Sequence, residues 1–139
     1  MTDFFDTSVL VAAFQVNHVR HEECHRTFAR ARRAACSLHT LAEFYSTTTG
    51  FPRPARLTTD EAGIFVEEII ARCRLIALTA DEYVDTIRRL AQNRQSGGRT
   101  FDALLLQCAR KAEAGKIYTL NLQHFRELAP DLAKRIVAP

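Results

Sequence analysis

The sequence predicts an α/β fold with a central, mostly parallel sheet of four to five strands flanked by helices. Three observations predict it. Short apolar runs alternate with longer segments of helical periodicity along the whole chain. Hydroxyl and acidic residues open several of the helical segments, and glycine or proline closes others. Strands that alternate with helices pair in parallel and are covered on both faces.

The elements follow in order. Phe4-Phe5 is a first strand that stops at Asp6-Thr7-Ser8. Val9 to Phe14 forms a short helix, and the polar-apolar stretch from His18 to Arg33 a longer one. Ala34 to Leu38 is a second strand. Leu41, Phe44, Tyr45 and Thr48 then recur at helical spacing, until Gly50-Phe51-Pro52-Arg53-Pro54 breaks the pattern. Thr58-Thr59-Asp60-Glu61 has the form of a capping box, and Ala62, Phe65, Val66, Ile69, Ile70 and Cys73 form the stripe behind it. Leu75 to Leu78 is a buried strand. Thr79 opens a helix whose inward residues are read as Tyr83, Val84, Ile87, Leu90 and Ala91. After the Ser96-Gly97-Gly98 loop, Thr100 is read as the cap of a helix carrying Phe101, Leu104, Leu105, Cys108, Ala109 and Ala112. Gly115 is read as its left-handed stop. Lys116 to Leu120 is a fourth strand, Gln123 to Lys134 holds a short helix, and Ile136-Val137 forms a small edge strand.

The 139 residues suit one domain, expected to span 1–139 without repeats or linkers. Net charge is +3, which is compatible with nucleic acid without requiring it. Cys24, Cys36, Cys73 and Cys108 form no C-x-x-C pair. With Cys73 and Cys108 on apolar helical faces, they read as reduced thiols and exclude a disulfide scaffold. The first six residues lack the basic region of a signal peptide, and no apolar run is long enough to span a bilayer. A soluble cytoplasmic protein is expected.

Parallel sheets place ligand sites at the carboxyl ends of their strands. Asp6 ends the first strand and Asn121 the fourth; Glu43 lies early in the helix after the second strand, and Asp102 in a first helical turn after the glycine loop. With the expected topology, three acids and an amide would converge on one sheet edge. Each has a structural alternative: Asp6 as a turn former, Asp102 as a complement to the helix dipole, Glu43 as a solvated helix residue. A carboxylate cluster without nearby His or Cys suits a hard cation, Mg2+ or Mn2+. Mutual repulsion makes it need that cation. A metal so held activates water and neutralises a phosphodiester oxygen. Arg53 and Arg56 in the proline loop, with Arg94 and Arg99 around the glycine loop, are candidate contacts to a nucleic-acid backbone; the alternative for each is a solvated charge.

Four motifs in order resemble those of PIN domains: Phe5-Asp6-Thr7-Ser8-Val9-Leu10-Val11, Leu41-Ala42-Glu43-Phe44, Thr100-Phe101-Asp102-Ala103-Leu104-Leu105, and Tyr118-Thr119-Leu120-Asn121-Leu122-Gln123-His124-Phe125. Order, spacing and length resemble a single-domain VapC-type toxin over essentially the whole chain. The resemblance implies a PIN-like three-layer sandwich and Mg2+-dependent endoribonuclease activity, with Mn2+ as a substitute. It implies the toxin half of a type II toxin–antitoxin pair that inhibits translation by cutting tRNA or rRNA, dimerises, and is silenced by a cognate antitoxin. It implies Asp6 and Asp102 as main metal ligands, Glu43 as the third, and Ser8 and Thr7 as hydroxyls that orient Asp6 or a water. Many PIN domains carry a fourth acid where this chain has Asn121. A neutral corner implies one firmly held metal and a weaker second.

Two other classes stand beside this. Asn121 keeps open a non-catalytic PIN-like module that binds RNA or protein. An aspartate at a strand end is also the chemistry of phospho-acceptor receiver domains, but those need a late strand-end lysine, and Lys116 begins its strand. His21, Cys24 and His25 share a helical face without a fourth zinc ligand and are read as incidental. Asp81, Glu82 and Asp85 are read as the first turn and solvent face of a helix. His124 is placed near the site, either against RNA or in a structural role. The apolar residues around Ile64 and Phe65 exceed one stripe and would suit a homodimer or an antitoxin groove.

Overall fold

A computed structural model describes residues 1–139. Five strands, β1 (Thr2–Phe5), β2 (Ala34–Ser37), β3 (Cys73–Ile76), β4 (Ala114–Tyr118) and β5 (Ile136–Val137), form one sheet in the order β3-β2-β1-β4-β5. Every pairing is parallel. Seven helices connect them: α1 (Thr7–Phe14), α2 (His21–Arg30), α3 (Leu38–Gly50), α4 (Thr59–Arg72), α5 (Ala80–Gln92), α6 (Arg99–Lys111) and α7 (Leu122–Leu128), with a 3-10 turn at Pro130–Leu132. The expected α/β fold is present, and the sheet is wholly parallel.

Strand alternation divides the core. Phe4 points into a cluster with Leu105, Ala109, Ile117, Phe125 and Ile136, under α6 and α7. Phe5 points the other way, into a cluster with Leu10, Phe28, Cys36, Phe44 and Ile69, under α1 to α4. The result is three layers, helix, sheet, helix. β1 is central, flanked by β2 and β4, so connections leave it in both directions. That reversal is the place where parallel sheets open a crevice at their carboxyl ends.

The predicted helix starts at Thr58 and Thr79 are both full capping boxes, closed reciprocally by Glu61 and Glu82. Other local readings need correction. Tyr83, Val84 and Ile87 are exposed rather than inward. The helix packs on α6 rather than on the sheet, and shows it Thr86 and Leu90, the buried positions. Tyr45 is likewise exposed, while Thr40 is buried in its place on α3. Cys73 is not on a helical face but opens β3, and all four cysteines are buried free thiols.

Helix α6 begins at Arg99 after Gly98, so Thr100 is inside its first turn and is not its cap. Its left-handed stop is Glu113, at φ 53°, not Gly115. Gly115 instead lies in β4, where an added Cβ would fall 2.0 Å from the Met1 side chain. His21 and His25 each set Nδ1 on a carbonyl near the end of α1, Ala12 O at 2.8 Å and Ala13 O at 3.3 Å. Cys24 is buried between them. The two histidines thus cap the end of α1. No helix is long and apolar enough to cross a membrane.

Candidate active site

Asp6 follows the last residue of β1 and stands immediately before α1. Its N–H donates to Tyr118 O at 2.9 Å, extending the central ladder by one rung. Its carboxylate is 4% exposed. Oδ2 accepts from Ser8 Oγ at 2.6 Å and from Thr119 Oγ1 at 2.8 Å. Both hydroxyls are themselves fixed by the turn after β4: Ser8 Oγ accepts from Leu120 N at 3.2 Å, and Thr119 Oγ1 accepts from Asn121 N at 3.0 Å. An amide can only donate, so each hydroxyl accepts from the backbone and turns its own hydrogen onto Asp6. Burial pushes the Asp6 carboxyl above its ordinary value, and these hydroxyls, with the amides of Thr7 and Ser8, pull the other way.

Glu43 sits on the second turn of α3, whose N-terminus is capped by Ser37 accepting from His39 N at 3.2 Å. Partial burial raises its pKa; His39 opposes this, the charge of Asp6 adds to it, and the Thr7 hydroxyl favours the ionised form. His39 Nε2 stands 3.8 Å from Glu43 Oε1. Asp102 lies in the first turn of α6, from the opposite layer. Its pKa is pushed up to about 6, first by burial and then by the charges of Asp6 and Glu43, with His124 opposing. Asp6 after β1, Glu43 on α3 and Asp102 on α6 are thus near enough for the charge of Asp6 to act on both other acids and that of Glu43 on Asp102.

Ser8 orients Asp6 as expected. The Thr7 hydroxyl stands elsewhere, 3.0 Å from Thr40 Oγ1 and beside Glu43. Asn121 caps α7 at the end of β4, is exposed, and makes no side-chain cap bond. Sequence reasoning missed Thr119, which is fully buried and holds Asp6. A strand-end Thr beside Asn121 was visible, but its partner lies 113 positions away. Among the arginines, Arg53 and Arg94 are exposed and unpaired. Arg56 Nε donates to Phe51 O at 2.7 Å. Arg99 is committed to Gln95 at 2.9 Å and Glu127 at 3.1 Å. Asp81 and Glu82 are, as read, a helix first turn, and Glu82 pairs with Lys111 at 2.6 Å.

No three His, Cys, Asp or Glu side chains stand close enough together to enclose a metal ion by themselves. The donor chemistry nonetheless fits a hard divalent cation. The set is all oxygen, and two of its acids are held up in pKa partly by the charge of their neighbours. A cation there would turn that repulsion into attraction.

Known proteins resemble this chain in sequence and in fold. The PIN domain family model matches residues 4–129. Ribonuclease VapC40 of Mycobacterium tuberculosis is 34% identical over 118 residues, 85% of each chain. Ribonuclease VapC27 of Mycobacterium tuberculosis is 32% identical over 109 residues, 78% of this chain and 77% of that one. Among solved structures, Mycobacterium tuberculosis VapC20, described as a Sarcin-Ricin loop cleaving toxin, superposes with TM-score 0.68 at 20% identity, covering 83% of this chain and 86% of the other. VapBC-1 of nontypeable Haemophilus influenzae gives TM-score 0.66 at 16% identity over 99% and 98%. VapBC2 of Rickettsia felis, bound to a DNA fragment from their promoter, gives 0.64 at 18% identity over 91% and 92%. By its matched span, its relatives and its fold, the chain belongs to the PIN domain family, among the VapC proteins.

Proposed function

We propose that this protein is a Mg2+-dependent endoribonuclease, the toxin of a type II toxin–antitoxin pair, working as one unit over residues 1–139. The observation that carries the reading is the approach of Asp6, Glu43 and Asp102 from three separate parts of the chain: the charge of Asp6 raises the pKa of Glu43, and the charges of Asp6 and Glu43 raise that of Asp102. Divalent-metal dependence is general among PIN-domain ribonucleases; Mg2+, with Mn2+ as a substitute, is the reading for this chain. Asp6 and Asp102 would hold it, with Glu43 completing the shell.

When bound, the cation supplies an activated water and neutralises charge on the scissile phosphate. The chain's own contribution is positional. Ser8 and Thr119 hold Asp6 by one oxygen and keep it ready to accept charge. Thr7 and His39 both lie beside Glu43 and favour its ionised form. Asn121 offers a neutral oxygen at the end of β4. Arg53 and Arg94 are free to hold RNA phosphates, Arg56 can swing from its carbonyl, and Arg99 must first leave Glu127.

The substrate is structured cytoplasmic RNA, tRNA or rRNA, whose cleavage stops translation. The partner is a cognate antitoxin, and the exposed apolar side chains of α4 and α5, Ile64, Val84 and Ile87, provide surface for it or for a second copy in a homodimer. The purified protein should cut RNA with Mg2+ or Mn2+ and not in EDTA, and should arrest growth unless the antitoxin is co-expressed. A second reading, a non-catalytic module that binds RNA or protein, is favoured by Asn121 alone. Calorimetry decides it: absence of both Mn2+ binding and RNA cleavage would leave only that reading.

A further inference from the structure

Beside the acids lies an apolar pocket of about 390 Å3. Leu38, His39, Tyr83, Phe101 and Leu104 line it, and Glu43 stands in its wall. Three of its side chains, Leu38, Tyr83 and Phe101, are about half exposed, at 48%, 48% and 52%. They belong to α3, α5 and α6 and are not one helix's surplus stripe. The His39 and Phe101 rings lie parallel, centroids 5.9 Å apart and planes 9° from coplanar.

We propose that this pocket takes an unstacked nucleobase of the RNA, next to the phosphate cut at the acid cluster. The inference rests on the nuclease reading of that cluster and adds what selects the RNA. Three observations point to a base. Because Glu43 is shared, whatever fills the pocket lies directly beside the reacting phosphate. Among the aliphatic walls of Leu38, Leu78 and Leu104 stand three flat rings, His39, Tyr83 and Phe101, and single-stranded bases are recognised by stacking on such rings. The polar groups within it are few, chiefly Ser37, His39 and Glu43, enough to read one base edge and too few to pair a peptide backbone.

Phe101 is the specificity residue of this arrangement and immediately precedes Asp102. It is exposed, so Phe101→Ala leaves the core intact, and an unchanged melting temperature would confirm this. The test uses a short RNA that wild-type protein cleaves or binds, and versions with one abasic ribose at each position around the cut. Cleavage with Mg2+ and binding in EDTA are measured in parallel. For wild type, one abasic position should lower kcat/KM and affinity by about 5- to 100-fold, the range of one base–aromatic stack. Phe101→Ala should lose a similar factor on the parent RNA and lose nothing further at that position. Phe101→Trp should restore both.

An abasic penalty that is the same in Phe101→Ala, or no penalty anywhere, overturns the pocket while cleavage itself still stands. Base-dependent binding without cleavage supports the pocket and overturns the nuclease reading instead. If Phe101→Ala keeps the base dependence but abolishes inhibition by the antitoxin, the pocket belongs to a protein segment and the proposal fails.

Discussion

Thr119 Oγ1 donates to Asp6 Oδ2 at 2.8 Å, joining the ends of the two central strands across 113 positions of sequence. The same oxygen of Thr119 accepts from Asn121 N, so the start of α7 orients the hydroxyl that orients the acid. Groups that hold a metal's ligands commonly matter by 10- to 100-fold in metal affinity or activity. Thr119→Val is therefore expected to lower cleavage by roughly tenfold or more and to cost about 1–2 kcal/mol of stability by unpairing Asn121 N and part of Asp6. Thr119→Ser should keep both. Steady-state cleavage and thermal melting, run side by side, check it.

Asp102 titrates at about 6 in the fold against an ordinary 3.8. The native state thus holds this proton more tightly than the unfolded chain does, and its loss above about 6 works against folding. In EDTA the protein should become more stable as pH falls from about 7 toward about 5, with Asp6 and Glu43, also raised, acting in the same direction. Below about 5 Glu82 acts the other way, because its pKa is drawn down from 4.5 to about 2, first by Lys111. Asp102→Asn should flatten the profile. A melting temperature that climbs with pH over that window would contradict the assignment.

The mutual repulsion of the acids implies that divalent cations stabilise the protein. Mg2+ or Mn2+ should raise Tm in a saturable way, beyond a control of equal ionic strength. Neither Asp6→Asn nor Asp102→Asn should show this rise.

Asn121 is proposed as the neutral corner. Asn121→Asp should tighten Mn2+ binding, add a second binding event in calorimetry, and lower Tm in EDTA near neutral pH, since a fourth negative charge joins three. An unchanged isotherm would place Asn121 outside the metal's reach.

The unpaired arginines should differ from the paired one. Arg53→Ala and Arg94→Ala are each expected to weaken RNA binding evenly across sequences and to reduce the salt slope by about 1. Arg99→Ala, whose side chain already engages Glu127, should do less. Titrations of labelled RNA at several salt concentrations measure these slopes.

Where the signal was local, the sequence was legible. The capping boxes at Thr58 and Thr79, the Asp6-Thr7-Ser8 strand end and the Asp102 first turn all depend on neighbours within a few positions. The inward face of α5 was not legible. Tyr83, Val84 and Ile87 have the right period, yet periodicity does not say which neighbour covers a stripe, and α6 covers Thr86 and Leu90 instead. Gly115 looked like a helix stop because glycine commonly is one; Glu113 takes the left-handed turn, and Gly115 makes room for Met1. Asp6, Glu43 and Asp102 could be nominated singly from strand ends and helix starts. Thr119 could not be tied to Asp6 without the β1–β4 register, which sets Phe5 beside Tyr118 and so aligns the residues that follow.

The central claim is that Asp6 and Asp102 hold the cation that cuts RNA. Its most direct test is Mg2+-dependent cleavage of one RNA by wild type, Asp6→Asn and Asp102→Asn, each shown by thermal melting to be folded. Cleavage should fall by at least about 100-fold in both variants. Folded variants that cleave as fast as wild type would contradict the account.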